Sequence, residues 1–252
     1  MYKDGFKDYC YIYGYSSDIS VWIKKSIELF SEIGFILKSV SYDINYERFE
    51  RKSLNKFLNE FDLDNEASVE KLYSFTIFYG KNLKYPDSWS YGVRFDKPSS
   101  SLQIFFDKSV ENSAEIILKI LQSYLEDKII NFGYFSLESP AGRETSLNLY
   151  KEDNHSWWLA LNPRNRQILY NSSPKLRHIY PCNIINRDFY YYKEKEFSFK
   201  EWIKDSENGT LKKIGSENWL WTVPHNRLHE IGKLFYEKNL LLGVKDTAFN
   251  LI

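Results

Sequence analysis

Two spacings of apolar residues, every second position and every third or fourth, divide this chain into its elements. Tyr9 to Tyr15 (YCYIYGY) is a dense run of strand-forming residues. After Ser16-Ser17-Asp18, which suits a helix cap, Ile19, Trp22, Ile23, Ile27 and Phe30 fall on one helical face. Gly34 ends that helix, Phe35 to Tyr42 returns as a strand, and Asn45 to Phe61 reads as a second helix with Phe49, Phe57, Leu58 and Phe61 turned to a core. Leu72 to Tyr79 is another strand. Trp89 to Phe95 and Leu102 to Phe106 read as a hairpin joined by Asp96-Lys97-Pro98-Ser99-Ser100. Asn112 caps the most regular helix: Ile116, Ile117, Ile120, Leu121, Tyr124 and Leu125 mark its buried side, while Glu115, Lys119, Gln122 and Glu126 face water.

From Ile129 strands begin again, at Phe132 to Leu137, Ser146 to Tyr150, Trp157 to Leu161 and Gln167 to Tyr170. The stretch from Leu176 to Leu242 is a turn-rich opening, a short helix, two strands and a closing helix. Ser198 with Glu201 three residues on forms a capping box, so a helix carrying Phe199, Trp202 and Ile203 is expected there. Asn208-Gly209 stops it. Trp219 to Val223 is strand-like, Pro224 fits the first turn of a helix with Thr222 as a cap, and Leu228, Ile231, Leu234 and Phe235 recur at helical spacing. The pattern predicts an α+β fold of mixed, mainly antiparallel sheets with amphipathic helices packed on one face. It is arranged as two similar-sized α+β halves, 1–128 and 129–252, or as one domain.

Composition adds an aromatic excess: the 252 residues include 20 Tyr, 18 Phe and 7 Trp. Such rings suit both cores and protein-binding surfaces. Abundant Lys, Asn, Ile, Tyr and Phe also fit the codon bias of an AT-rich genome. Formal charge balances at 34 basic and 34 acidic residues, which argues against a general binder of nucleic acid or of an anionic membrane. The charges are unevenly spread. Asn59 to Glu70 holds Glu60, Asp62, Asp64, Glu66 and Glu70 with no basic residue, and Leu161 to Arg187 holds Arg164, Arg166, Lys175, Arg177 and Arg187 with no acidic one. Each is a candidate face for a charged partner or a solvated loop.

Candidate chemistry is sparse. Cys10 and Cys182 form neither a disulfide framework nor a metal spacing. His225 and His229 stand four apart, as two imidazoles sharing a metal would, but HNRLHE lacks the glutamate of a zinc-protease helix and a nearby third ligand. Ser139-Pro140-Ala141-Gly142 is a turn rather than a nucleophile elbow, and Gly80-Lys81 lacks the partners of a phosphate loop. No catalytic residue, metal site or cofactor is therefore expected. The first residues lack the basic region and apolar run of an export signal, and no segment reaches the roughly 18 apolar residues of a membrane span. Cytoplasm is the expected compartment.

Two aromatic clusters remain, Trp157-Trp158 and Phe189-Tyr190-Tyr191-Tyr192. Strand neighbours point to opposite faces, so some of these rings are turned outward as binding anchors or lie beneath an adjoining helix.

The block Arg177 to Leu242, about a quarter of the chain, resembles the carboxy-terminal part of bacterial immunity proteins, the small cytoplasmic antidotes encoded beside polymorphic or type VI secreted toxins. Three stretches carry the resemblance: IYPCNIINRDF (Ile179 to Phe189), FKEWI followed by NGTLKKI (Phe199 to Ile214), and WLWTVP with a closing helix that ends in LFYEKNLLL. The resemblance implies a non-catalytic antitoxin that binds one cognate toxin and occludes its active site. Glu60, Asp62, Asp64 and Glu66 are then candidate charge contacts, and Trp157, Trp158, Tyr190, Tyr191 and Tyr192 candidate anchors. A hydrolase that reverses a toxin's modification, or an unrelated interaction module, is the alternative.

Overall fold

The computed structural model describes residues 7–44, 48–81, 88–138 and 174–241. Among the described residues, runs of two or three antiparallel strands are broken by helices, giving an α+β fold. The chain divides into two units, the first drawn from Met1–Cys10, Ser16–Ser123 and Leu137–Gly142, the second from Tyr11–Tyr15, Tyr124–Ser136 and Arg143–Ile252.

In the first unit, Asp18 opens α1 (Ile19–Glu32) by accepting the backbone N–H groups of Ser20 and Val21, donors that a helix start leaves without partners. Its apolar stripe packs on a sheet in which β2 (Ser39–Ile44) lies between β3 (Arg48–Ser53) and β4 (Leu72–Gly80), followed by β5 (Trp89–Asp96) and β6 (Ser101–Asp107). The pairs β3/β2, β2/β4, β4/β5 and β5/β6 are all antiparallel. Because strand side chains alternate, Val40, Tyr42, Phe75, Ile77, Val93, Phe95, Leu102, Ile104 and Phe106 share one face, and all are buried. Trp22 of α1 lies 5.6 Å from Phe95, and Phe57 of α2 (Leu54–Glu60) lies 5.0 Å from Phe75. Burying each such ring contributes roughly 1.5–3 kcal/mol. Helix α4 (Ser113–Tyr124) buries Ile117, Ile120, Leu121 and Tyr124, and Lys25 Nζ ties α1 to its end through the Ser123 carbonyl.

The expected second helix from Asn45 to Phe61 is corrected. Arg48–Ser53 is a strand paired with β2, and among the described residues of that range only Leu54–Glu60 is helical. In RFERKS, alternation of side chains across a sheet outweighs helical spacing, and Ser53 accepts the Lys56 N–H as the cap of the shorter helix. Phe49 consequently points away from the core and is 58% exposed, and Leu58 is exposed too. The acidic run is not all loop either, since Asn65 caps a one-turn helix, α3 (Glu66–Val69).

In the second unit β11 (Thr210–Lys213), β12 (Asn218–Thr222), β8 (Cys182–Asn186) and β7 (Phe132–Glu138) lie side by side, each neighbouring pair antiparallel. The end of β1 (Lys7–Tyr13) follows, with Tyr11 stacked on Tyr134 and Tyr13 on Phe132. Phe189, Phe199, Trp221 and Phe235 build the core, the last from the closing helix Leu228–Glu237.

Three local expectations change here. A one-turn helix starts at Phe199, but Ser198 makes no capping hydrogen bond; Ser198 pairs instead with Lys193, which joins the two-residue strands β9 (Lys193–Glu194) and β10 (Phe197–Ser198), and Lys204 bonds to Glu201. Pro224 stays extended outside the helix, which starts after a 3-10 turn at His225–Arg227, and Thr222 belongs to β12. Phe189 and Tyr190 lie in the one-turn helix Arg187–Tyr190, capped by Asn186, rather than in a strand. The expected strands between Ser146 and Tyr170 lie outside the described residues.

Candidate functional site

The acidic run acquires basic neighbours once the first unit folds. Glu60 Oε2 lies 3.1 Å from Lys52 Nζ and its Oε1 3.6 Å from Lys56 Nζ; the hydrogen bond from Lys52 holds its carboxyl below the usual glutamate range. Asp64 Oδ1 sits 3.0 Å from Lys24 Nζ, with the Asp64 side chain 87% exposed. Asp62 is exposed and accepts the Asp64 N–H at 3.0 Å. Asp64, Glu66 and Glu70 then face Asp18, Ser20 and Lys97 across a cleft of about 450 Å³. Asp18 is itself held below the usual aspartate range, first by the Ser20 hydroxyl and then by the Val21 N–H. The fold thus brings Asp64 and Glu66 together and directs Glu60 toward Lys52 and Lys56.

The three tyrosines of the second unit separate by environment. Tyr190 is half-buried, its ring stacked on Trp219 at 4.5 Å. Tyr192 is also half-buried and donates its hydroxyl proton to Glu194 Oε2 at 2.7 Å; burial, then that hydrogen bond, push its pKa up to about 12. Tyr191 is 56% exposed, with Lys200 Nζ 5.3 Å from its ring centre. Of the three, Tyr191 has the geometry of an anchor. Trp157 and Trp158 lie outside the described residues.

A third surface was not read from the sequence. The register places Arg51 opposite Ser41, Ser41 opposite Thr76, Thr76 opposite Arg94 and Arg94 opposite Gln103, so five polar side chains form one row across the first unit's sheet. They lie on the face opposite Val40, Tyr42 and Phe75. In the next row Phe78 and Phe105 lie beside Gly92, where an added Cβ would come within 2.8 Å of both side chains. Trp89 stacks on Phe78 at 3.7 Å and Tyr9 packs on Phe105 at 5.8 Å. A signal existed: Ser39, Ser41 and Asp43, Ser74 and Thr76, Arg94 and Asp96, Ser101 and Gln103 are polar at every second position of four strands.

No protein-family model matches the chain, and no curated protein matches it in sequence. A solved structure shares its fold. Pseudomonas aeruginosa T6SS protein PA0821 is similar over 97% of this chain and 80% of its own, with a TM-score of 0.55 and 9% sequence identity.

The likeness to the T6SS protein is one of fold. The remaining chemistry is local to this chain. His225 stands in the 3-10 turn and His229 in the helix after it, both exposed, so they do not share one helical face. Among the described residues no group of three or more His, Cys, Asp or Glu could hold a metal ion, and no helix is long and apolar enough to cross a membrane. The basic run is corrected as a charged face: Lys175 and Arg177 are buried, with Lys175 Nζ bonded to Asn239 Oδ1 and Arg177 Nη1 donating to Tyr134 Oη at 2.6 Å. Arg187 remains exposed, 3.8 Å from Glu217, while Arg164 and Arg166 lie outside the described residues. Cys10 is buried and Cys182 partly buried, with burial pushing the Cys182 thiol up.

Proposed function

We propose that this chain is an immunity protein of a type VI or polymorphic toxin system, which neutralises a cytoplasm-acting toxin by binding it one to one and occluding its active site. The observation that carries this reading is the fold shared with a T6SS protein over 97% of the chain, which joins the resemblance of the Arg177 to Leu242 block to immunity proteins. In this reading the chain needs no cofactor or metal, and its partner is the cognate toxin.

Binding would divide between two kinds of contact. The exposed carboxylates Asp64 and Glu66, with Glu60 and Asp62 beside them, steer a basic toxin surface toward the cleft, a long-range effect that salt screens. Exposed Tyr191 offers a ring that loses its water on contact, the kind of group that slows dissociation.

Co-expression tests the proposal. The protein encoded beside this chain should arrest growth when made alone in the cytoplasm, and this chain should restore growth and co-purify with it. Arrest that persists despite abundant folded chain contradicts the proposal.

A further inference from the structure

We propose that the face of the first unit's sheet turned away from α1 and α2, centred on Arg51, Arg94 and Trp89, is a docking surface for an acidic segment of a partner protein. This surface is distinct from the acidic cleft and does not depend on which protein supplies the segment.

Charge complementarity selects the occupant. A depression of about 300 Å³ opens on this face, and among the described residues the two charged ones that line it, Arg51 and Arg94, are both cationic. Arg51 is exposed and its guanidinium lies 5.9 Å from the Trp89 ring centre, while the Arg94 side chain is 42% exposed. The acidic groups of the neighbouring row are Asp96, 3.7 Å from Arg94, and buried Asp43. Each guanidinium carries five N–H donors, so two of them on one face favour planar two-point contact with a carboxylate in addition to the partners they have within the chain.

The floor supplies the rest of a recognition site. Ser41 and Thr76, both buried, carry hydroxyl groups between the arginines, and Gln103 offers an amide on the far side of Arg94. Phe105 and Trp89 form the apolar wall, and Phe49, 58% exposed, stands at the rim of the same depression. Aromatic and arginine side chains around a small apolar centre are the composition of protein-binding hot spots. The volume lies at the lower limit for a cavity that encloses a small-molecule ligand, and it suits one or two side chains of a docked chain. Trp89 has Phe78 stacked on it and Arg51 above it, so it gives no open ring face to a nucleic-acid base.

The test uses the full chain, isotope-labelled for NMR, with two peptides as probes: acetyl-Glu-Glu-Phe-Glu-Glu-amide and its counterpart with lysine in place of each glutamate. The acidic peptide should shift the Trp89 indole N–H and the Arg51 and Arg94 Nε–H signals. Its affinity should fall at least tenfold when Arg51→Glu and Arg94→Glu are combined, and more mildly with Arg51→Gln and Arg94→Gln. The rest of the spectrum reports that each variant is folded. Equal shifts with the lysine peptide, no shift at millimolar acidic peptide, or unchanged affinity in the folded variants would overturn the assignment. Stronger competition for these signals by a thymidine oligonucleotide, or concentration-dependent shifts without any peptide, would overturn it in favour of nucleic acid or a second copy.

Discussion

Trp221 Nε1 donates a 2.9 Å hydrogen bond to the backbone carbonyl of Asn208, joining the second strand of the second unit's hairpin to the turn that leads into the first. Gly209 makes this approach feasible. Its φ of +111° lies where only glycine is comfortable, and a Cβ there would sit 2.2 Å from the Thr222 oxygen and 2.8 Å from Trp221 Nε1. Gly209→Ala should therefore lower stability by at least about 2 kcal/mol in urea unfolding. Trp221→Phe should cost about 1–3 kcal/mol, because the Asn208 carbonyl loses its indole donor in a buried site. A Gly209→Ala protein as stable as the parent would contradict this account of the turn.

Acid stability should depend on His178. It is buried beside Arg177, and desolvation first, then that guanidinium, lower its pKa to about 4. The folded state therefore binds its proton less readily than the unfolded chain, whose histidine titrates near 6.5. The stabilisation is complete above about pH 6.5 and is lost as pH falls toward 4, a change on the order of 3 kcal/mol. Urea unfolding at a series of pH values should show this slope in the parent and a shallower one in His178→Gln.

Tyr190 and Tyr191 should respond differently to truncation. Tyr190→Ala removes a ring stacked on Trp219 and should cost about 1–3 kcal/mol of stability. Tyr191→Ala should leave stability within about 0.5 kcal/mol and accelerate dissociation from the toxin roughly tenfold or more. Thermal unfolding and surface-plasmon kinetics on the same pair of variants separate the two effects.

Reversing charge in the acidic run should act on encounter. The exposed Lys24–Asp64 pair is worth less than about 1 kcal/mol, so Asp62→Lys with Asp64→Lys should leave the chain folded. Association with the toxin should slow several-fold, and the difference from the parent should shrink as salt is raised. A salt-independent association rate in both proteins would place the contact elsewhere.

Much of this fold is legible in the sequence, for physical reasons that can be named. Asp18 as cap, the α1 stripe and the hairpin closed by Asp96 to Ser100 depend on neighbours in the chain and form as read, except that Leu29 is buried in the stripe while Ile27 is only partly so. The misreadings at Arg48–Ser53 and Ser198 arose where pairing with a distant or neighbouring strand outweighed local spacing. Site geometry was less legible. The acidic run could be seen, but Lys24, about 40 residues away, becomes its partner only through folding. The same holds for the burial of Lys175 and Arg177, and for the row that brings Arg51 and Arg94 onto one sheet face.

Stoichiometric neutralisation is the central claim, and titration of toxin activity with increasing amounts of this protein tests it most directly. A binding antidote predicts activity falling linearly to zero at one equivalent, with a one-to-one complex recovered at the endpoint. Protection that is complete at a small fraction of an equivalent and grows with incubation time would contradict it, and would identify an enzyme.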